Sequence, residues 1–142
     1  MFDSSGVIDG DAHRLPMRVY YEDTDSTSMV YYANYLKFAE RGRTEMIRLL
    51  GVPDGGRENG AAFAVRRCQI DYLRPARLDD HIDVWTKLMA LGGASAELDQ
   101  VVRRDDVVLA RLAVRLAYVT LAGKPARLPT RFRAALKPFL KS

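Results

Sequence analysis

Residues 35–53 read YLKFAERGRTEMIRLLGVP, and this stretch carries the longest helical period in the chain. From Tyr35 the apolar or small residues fall at Phe38, Ala39, Gly42, Met46, Leu49 and Leu50, the spacing of one face of an α-helix. Lys37, Arg41, Arg43 and Arg48 lie off that face, and Arg41 and Glu45 are spaced to pair at i,i+4. Gly51 followed by Pro53 stops the run. Gly42 costs about 1 kcal/mol of helix propensity against alanine, so its place in the apolar ladder predicts close approach of another backbone.

Downstream of this helix the period changes from 3.6 to 2. A Gly-rich loop, DGGRENG at 54–60, is followed by strand-like runs at about 62–74, 81–91, 95–104 and 107–120. In the last, Val108, Ala110, Leu112, Val114, Leu116 and Tyr118 alternate with Arg111 and Arg115, the pattern of a half-buried strand. Gly92-Gly93 and Asp105-Asp106 read as hairpin turns between these runs. Upstream, MRVYYE at 17–22 is aromatic and β-branched enough for a strand. The connections are too short for crossover helices, so the expected class is α+β, a largely antiparallel sheet with one helix packed on it.

The 142 residues, 48% hydrophobic and 28% charged, suit one domain over 16–142 after a flexible leader at 1–15. A basic helix or coil from Thr130 to Leu140 closes it. Cys68 has no cysteine partner and the two histidines, His13 and His81, match no common zinc spacing, so no metal is expected. Cys68 alternates with Ile70 and Tyr72 and reads as a small buried hydrophobe, His81 as a surface residue. No run approaches the roughly 18 apolar residues that span a bilayer, and MFDSSGVIDGDAH is no secretory signal; the expected setting is the cytoplasm. The net charge of +4 is uneven: no acid follows Asp106, so residues 107–142 carry +8 and residues 1–106 carry −4. That charge suits a solvated face or an anionic partner. It comes with no RNA-binding or helix-turn-helix signature, so nucleic acid is not expected as a partner.

Chemistry concentrates just before the long helix, in YYEDTDSTSMVYYANY at 20–35. Glu22, Asp23 and Asp25 place three carboxylates in four residues ahead of a helix start whose N–H groups lack intrahelical partners. Such a start favours developing negative charge. The same pattern also fits Asp23, Asp25 or Ser28 as plain helix caps. Tyrosines with an ordinary pKa of about 10 are poor bases near neutrality, so Tyr20, Tyr31 and Tyr35 read as packing residues. Neither GxSxG nor a partnered histidine supports a serine triad.

VYYEDTD, the YANY tetrad and LKFAERGRTE together resemble the hotdog-fold acyl-CoA thioesterases, within them the Tol-Pal-associated type close to 4-hydroxybenzoyl-CoA thioesterases. FAVRRCQIDYLRPARLDD at 63–80 and the stretch from Tyr118 to Pro129 extend the likeness over about residues 16–129. The resemblance implies an antiparallel sheet wrapped around one central helix, and hydrolysis of an acyl-CoA to free acid and coenzyme A. It implies Asp25 as the catalytic carboxylate, acting as nucleophile or as general base, and the backbone N–H of Tyr32, at the helix start, as the group that polarises the thioester carbonyl. It implies an acyl slot at a dimer interface, for which Phe63 and Val65 are the candidates, although both also read as core residues. Arg66, Arg67 or the basic C-terminal segment are the candidates for the coenzyme A phosphates. Coenzyme A arrives as part of the substrate and no separate cofactor is implied. A homo-oligomer, dimer or tetramer, is expected, with an acyl carrier protein or a cell-envelope protein as candidate partners. A weakly active acyl-binding scaffold is the alternative. Glu40 and Glu45 are the other helix carboxylates, read here as solvated or ion-paired. Members of the resembled Tol-Pal branch carry glycine in the loop after the aspartate and histidine where Tyr32 stands, whereas the hydroxybenzoyl-CoA type has tyrosine there. Ser26-Thr27-Ser28 therefore predicts a side chain at a position that needs close backbone approach or φ > 0.

Overall fold

A computed structural model describes residues 4–140. In chain order the elements are β1 (Val7–Asp9), β2 (Ala12–Arg18), α1 (Asn34–Leu49), β3 (Ala62–Tyr72), β4 (His81–Leu91), β5 (Ser95–Arg104), β6 (Val107–Val119) and α2 (Thr130–Leu136). Six antiparallel strands form one sheet in the order β1-β2-β4-β5-β6-β3. Helix α1 lies on one face of it, burying Tyr35, Phe38, Ala39, Gly42 and Met46 against Val84, Leu88, Leu98 and Val102. Leu49, at the end of the expected ladder, is exposed. The α+β class, and the single long helix on an antiparallel sheet, are as the periodicity requires.

Three local differences have physical causes. The strand expected over 17–22 lies earlier, at Ala12–Arg18, and Val7–Asp9 pairs beside it. Part of the stretch expected as a leader is therefore sheet, with Ala12, His13 and Leu15 buried; residues 1–3 of that stretch, and 141–142, lie outside the described residues. In β6, Val102 pairs with Ala110 while Arg103 pairs with Val108, which leaves Leu109 as an extra residue. The bulge shifts the alternation by one place, so Leu109, not Val108, is buried beside Ala110. Cys68 is exposed, because β3 is a sheet edge with a neighbour on one side only.

Gly42 is explained by side chains and not by backbone. A Cβ there would sit 2.8 Å from Val84 Cγ1, 3.1 Å from Thr86 Oγ1 and 3.2 Å from Gln100 Nε2, so the glycine lets α1 settle onto the sheet. Arg43, next to it, is half-buried, and its Nη1 donates to Gln100 Oε1 at 3.0 Å. Its long side chain thus turns from the helix flank toward the sheet, contrary to its expected place on the solvated side. Glu45 pairs with Arg48 at 3.1 Å, not with Arg41. The basic C-terminal segment is partly used internally: Arg131 pairs with Glu58, Arg115 with Glu97, and Arg133 donates to Gly92 O. No helix among the described residues is long and apolar enough to cross a membrane.

His13 on β2 is 1% exposed. Its Nε2 lies 2.6 Å from Ser5 O and so carries the hydrogen, while Nδ1 is buried without a partner among the described residues. Burial pushes the imidazole below its ordinary pKa, against the opposing pull of the Ser5 carbonyl and the Glu45 carboxylate. The folded chain thus holds His13 neutral where the unfolded chain protonates it. The unfolded state binds the extra proton below about pH 6.5, so this stability is full above that pH and drains away as the pH falls. Melting temperature compared at pH 7.5 and 5.5 is expected to drop more for the natural chain than for His13→Gln. Equal drops would remove His13 as the cause.

Candidate functional site

The three carboxylates ahead of α1 have different fates. Glu22 is exposed. Asp23 is 5% exposed, and both its oxygens are occupied: Oδ2 accepts from Tyr20 N at 2.8 Å and Oδ1 from Asn34 Nδ2 at 3.0 Å. It ties the short 3₁₀ turn Tyr21–Asp23 to the first residue of α1 and is a structural group. Asp25 is exposed, and its Oδ1 accepts from both the N–H and the hydroxyl of Thr27. Those bonds, the hydroxyl's first, hold its carboxyl below the usual aspartate range, so it stands ionised at neutral pH and open to solvent.

The loop bearing Asp25 is fixed at both ends. Asp25 N donates to Met29 O at 2.8 Å and Ser28 N to Asp25 O at 3.1 Å, closing a tight turn. Ser28 takes φ +63° at its corner, the left-handed conformation foreseen where glycine is absent. The turn is pinned to residues 76–78 by Val30 N to Ala76 O (2.8 Å) and Leu78 N to Ser28 O (3.0 Å). Ala76 is fully buried, and its N–H donates to Tyr35 Oη at 3.0 Å. The motif at 63–80 thus supplies the platform on which the acidic loop rests.

The helix begins two residues later than expected. Its N-cap is Ala33, with no side-chain cap, so neither Asp25 nor Ser28 caps α1 and the plain capping role does not apply to them. Tyr31 N donates to Asp23 O at 2.9 Å and Asn34 N to Tyr31 O at 2.8 Å. Among the described residues no backbone carbonyl accepts from Tyr32 N, while Tyr32 O accepts from Tyr72 Oη at 3.0 Å. Tyr31, Tyr32 and Tyr72 form an exposed aromatic patch here, with ring centroids 4.9 Å and 6.2 Å apart. The neighbouring Tyr32 hydroxyl pushes the Tyr31 phenol up, and burial does the same to Tyr35 and Tyr72. None of these three phenols is tuned to act as a base near neutrality.

A second feature lies at the other end of α1. A cavity of about 620 Å³ runs between its C-terminal half and the sheet, lined by Met46, Ile47, Leu88, Leu98 and Leu116, a size typical of small-molecule sites. Phe63 and Val65 line it as well, with Asp54 and Gly55 from the Gly-rich loop. Phe63 packs on Tyr118 at 5.1 Å, and its ring occupies the space a Cβ on Gly56 would need. Val65 is 51% exposed, and β3 bulges between it and Arg67. Arg66 and Arg67 are exposed on the edge strand and do not line the cavity. Asp25 and Tyr32 do not line it either: within one chain the expected site residues form two groups. Sequence reasoning missed Arg43 on the cavity wall and the phenol of Tyr72 against the turn before α1; Glu40, read as solvated or ion-paired, is exposed at that wall. Arg43 carried a faint signal, since it sits between Gly42 and Met46 at the rim of the buried face.

The model of the Thioesterase superfamily matches residues 27–110. The chain is 40% identical over 124 residues to the acyl-CoA thioesterase YbgC of Haemophilus influenzae, covering 85% of this chain and 91% of that one. Among solved structures it is similar to a probable thioesterase from Bartonella henselae, with TM-score 0.78, 37% identity and coverage of 84% and 98%. It is also similar to a thioesterase from Thermus thermophilus complexed with coenzyme A and zinc, with TM-score 0.77, 28% identity and coverage of 89% and 92%.

Proposed function

The chain belongs to the thioesterase superfamily, and from that membership we propose that it hydrolyses acyl-CoA thioesters to free acid and coenzyme A with Asp25 as its catalytic carboxylate. The observation that carries the reading is the division of labour among the acids: Asp23 is buried and fully bonded, whereas Asp25 is ionised, exposed and held by a pinned loop. Tyr32 N–H, one residue before the helix N-cap, would donate to the thioester oxygen as charge develops there. One such donor is typically worth about 2.7–4 kcal/mol of barrier. Asp25 either attacks the carbonyl carbon, giving a mixed anhydride that water then cleaves, or takes a proton from the water that attacks. In both routes the C–S bond breaks, the thiolate of coenzyme A leaves and takes up a proton, and an oxygen of water ends in the acid. No cofactor is required, since coenzyme A is part of the substrate.

The two separated groups are reconciled by a second copy. Strand β3 is an open edge, and open edges favour pairing. A two-fold axis through such an edge sets β3 antiparallel to its copy. One end of β3 carries Phe63 and Val65 at the cavity, and the other carries Tyr72 bonded to Tyr32. Antiparallel pairing therefore sets the cavity of one protomer beside the Asp25 loop and Tyr32 of its partner. In this reading the acyl group enters past Val65, and the phosphates of coenzyme A stay outside, within reach of the exposed Arg66 and Arg67. The free thiol of Cys68 fits the reducing cytoplasm that the reading entails.

The test is thiol release from a panel of short-chain, long-chain and aromatic acyl-CoA substrates by the purified chain. Release that saturates with at least one class is expected. Release at the background rate on every class would overturn the reading.

A further inference from the structure

The cavity lining mixes apolar side chains with five charged ones: Glu40, Arg48, Asp54 and Arg57 are exposed, and Arg43 alone is half-buried. Arg43 Nη1 donates to Gln100 Oε1 at 3.0 Å. Gln100 is fully buried, and its Nε2 donates to Ala39 O at 2.8 Å and to Thr86 Oγ1 at 2.9 Å. With both acceptors on its nitrogen side, the amide must present its oxygen to the arginine. The guanidinium is therefore held by a chain of three bonds running from the helix backbone and the sheet. That chain uses one of five N–H donors.

Among the described residues Arg43 forms no ion pair with a carboxylate. Glu40, the nearest acid along the wall, is exposed and accepts from Thr44 Oγ1 at 3.1 Å. Arg43 feels its charge, but burial dominates and pulls the guanidinium below its ordinary value. A half-buried cation on a wall shared with Met46, Leu98 and Leu116 loses hydration that only a polar or charged partner restores. A guanidinium fork matches a carboxylate with two parallel bonds better than it matches any neutral group.

We propose that the cavity receives the tail of an acyl group ending in a carboxylate, with Arg43 reading that end while Met46, Leu98 and Leu116 hold the methylene chain. Arg43 is then a specificity-determining residue and takes no part in bond cleavage. The inference rests on the thioesterase reading and adds the substrate class: ω-carboxyacyl thioesters of coenzyme A. An alkyl tail of equal length would fill the same slot and leave the cation unpaired.

The experiment compares kcat/KM of the purified chain for adipoyl-CoA and hexanoyl-CoA, which share six carbons and differ at the far end. A preference of about tenfold or more for adipoyl-CoA is expected, the scale of one charge-assisted pair. Arg43→Met is expected to lower the adipoyl-to-hexanoyl ratio by about the same factor, and Arg43→Lys to keep part of it. The ratio is read on folded protein only; if Arg43→Met does not fold, Arg43→Gln and Arg43→Lys carry the comparison. Equal kcat/KM on the two substrates, or a ratio unchanged by loss of the guanidinium, would overturn the inference and leave the thioesterase reading standing. No hydrolysis of either, or of any other acyl-CoA, would overturn both.

Discussion

Asp25→Asn is expected to lower kcat by about 10²–10⁴-fold, the range for removal of a positioned acid–base group, with little change in melting temperature. The substitution is nearly isosteric, and the asparagine Oδ1 can still accept from Thr27, so the loop keeps its closure. Asp23→Asn provides the contrast. Asp23 accepts from Tyr20 N and Asn34 Nδ2, and an amide nitrogen facing either donor leaves a buried polar group unmatched, at about 1–3 kcal/mol. Asp25→Asn should therefore be folded and inactive, and Asp23→Asn destabilised. If Asp25→Asn and Asp25→Ala both keep activity within about threefold, the assigned chemistry is wrong. The pH profile offers a second check. Hydrogen bonds from Thr27 hold the Asp25 carboxyl below the ordinary value near 3.9. Its ionised form thus persists as the pH falls, and the acid limb set by this group lies below about pH 4.

The fold and the acidic loop are partly legible in the amino-acid sequence. The ladder from Phe38 to Met46, the alternation along β6 and the turn residues at 92–93 and 105–106 report the local backbone period, and the sheet and helix follow. Which of three neighbouring carboxylates is buried depends on the amide of Asn34, eleven residues beyond Asp23, as well as on the nearby Tyr20 N–H, and the spacing of the acids alone does not encode it. The bulge at Leu109 is likewise a property of strand pairing, so alternation alone puts Val108 on the wrong face. Arg43 misleads for another reason: a charged side chain at the rim of an apolar stripe can turn inward when a buried partner such as Gln100 receives it. Cys68 looks like a core residue because β3 has a strand's composition, yet strand order leaves β3 at the edge.

Strand order also sets up the second large effect. If the cavity of one protomer serves Asp25 of the other, two inactive variants should restore each other. Val65 is half-exposed at the cavity wall, so Val65→Trp is expected to obstruct acyl entry, while Asp25→Asn removes the carboxylate. Each variant alone is expected to lose most of its activity. When the two are co-refolded in equal amounts, about half of the dimers are mixed by random pairing of a two-fold dimer. In a mixed dimer one site combines both lesions. The other joins the intact Asp25 of the Val65→Trp chain to the intact cavity of the Asp25→Asn chain. One good site per mixed dimer restores about one quarter of the wild-type activity, which neither parent supplies. A site contained within one chain gives a different result, because every protomer then carries one lesion and mixing recovers nothing. Native mass spectrometry establishes that mixed dimers have formed, so an absence of recovery in their presence would rule out the shared site, as would a fully active monomer.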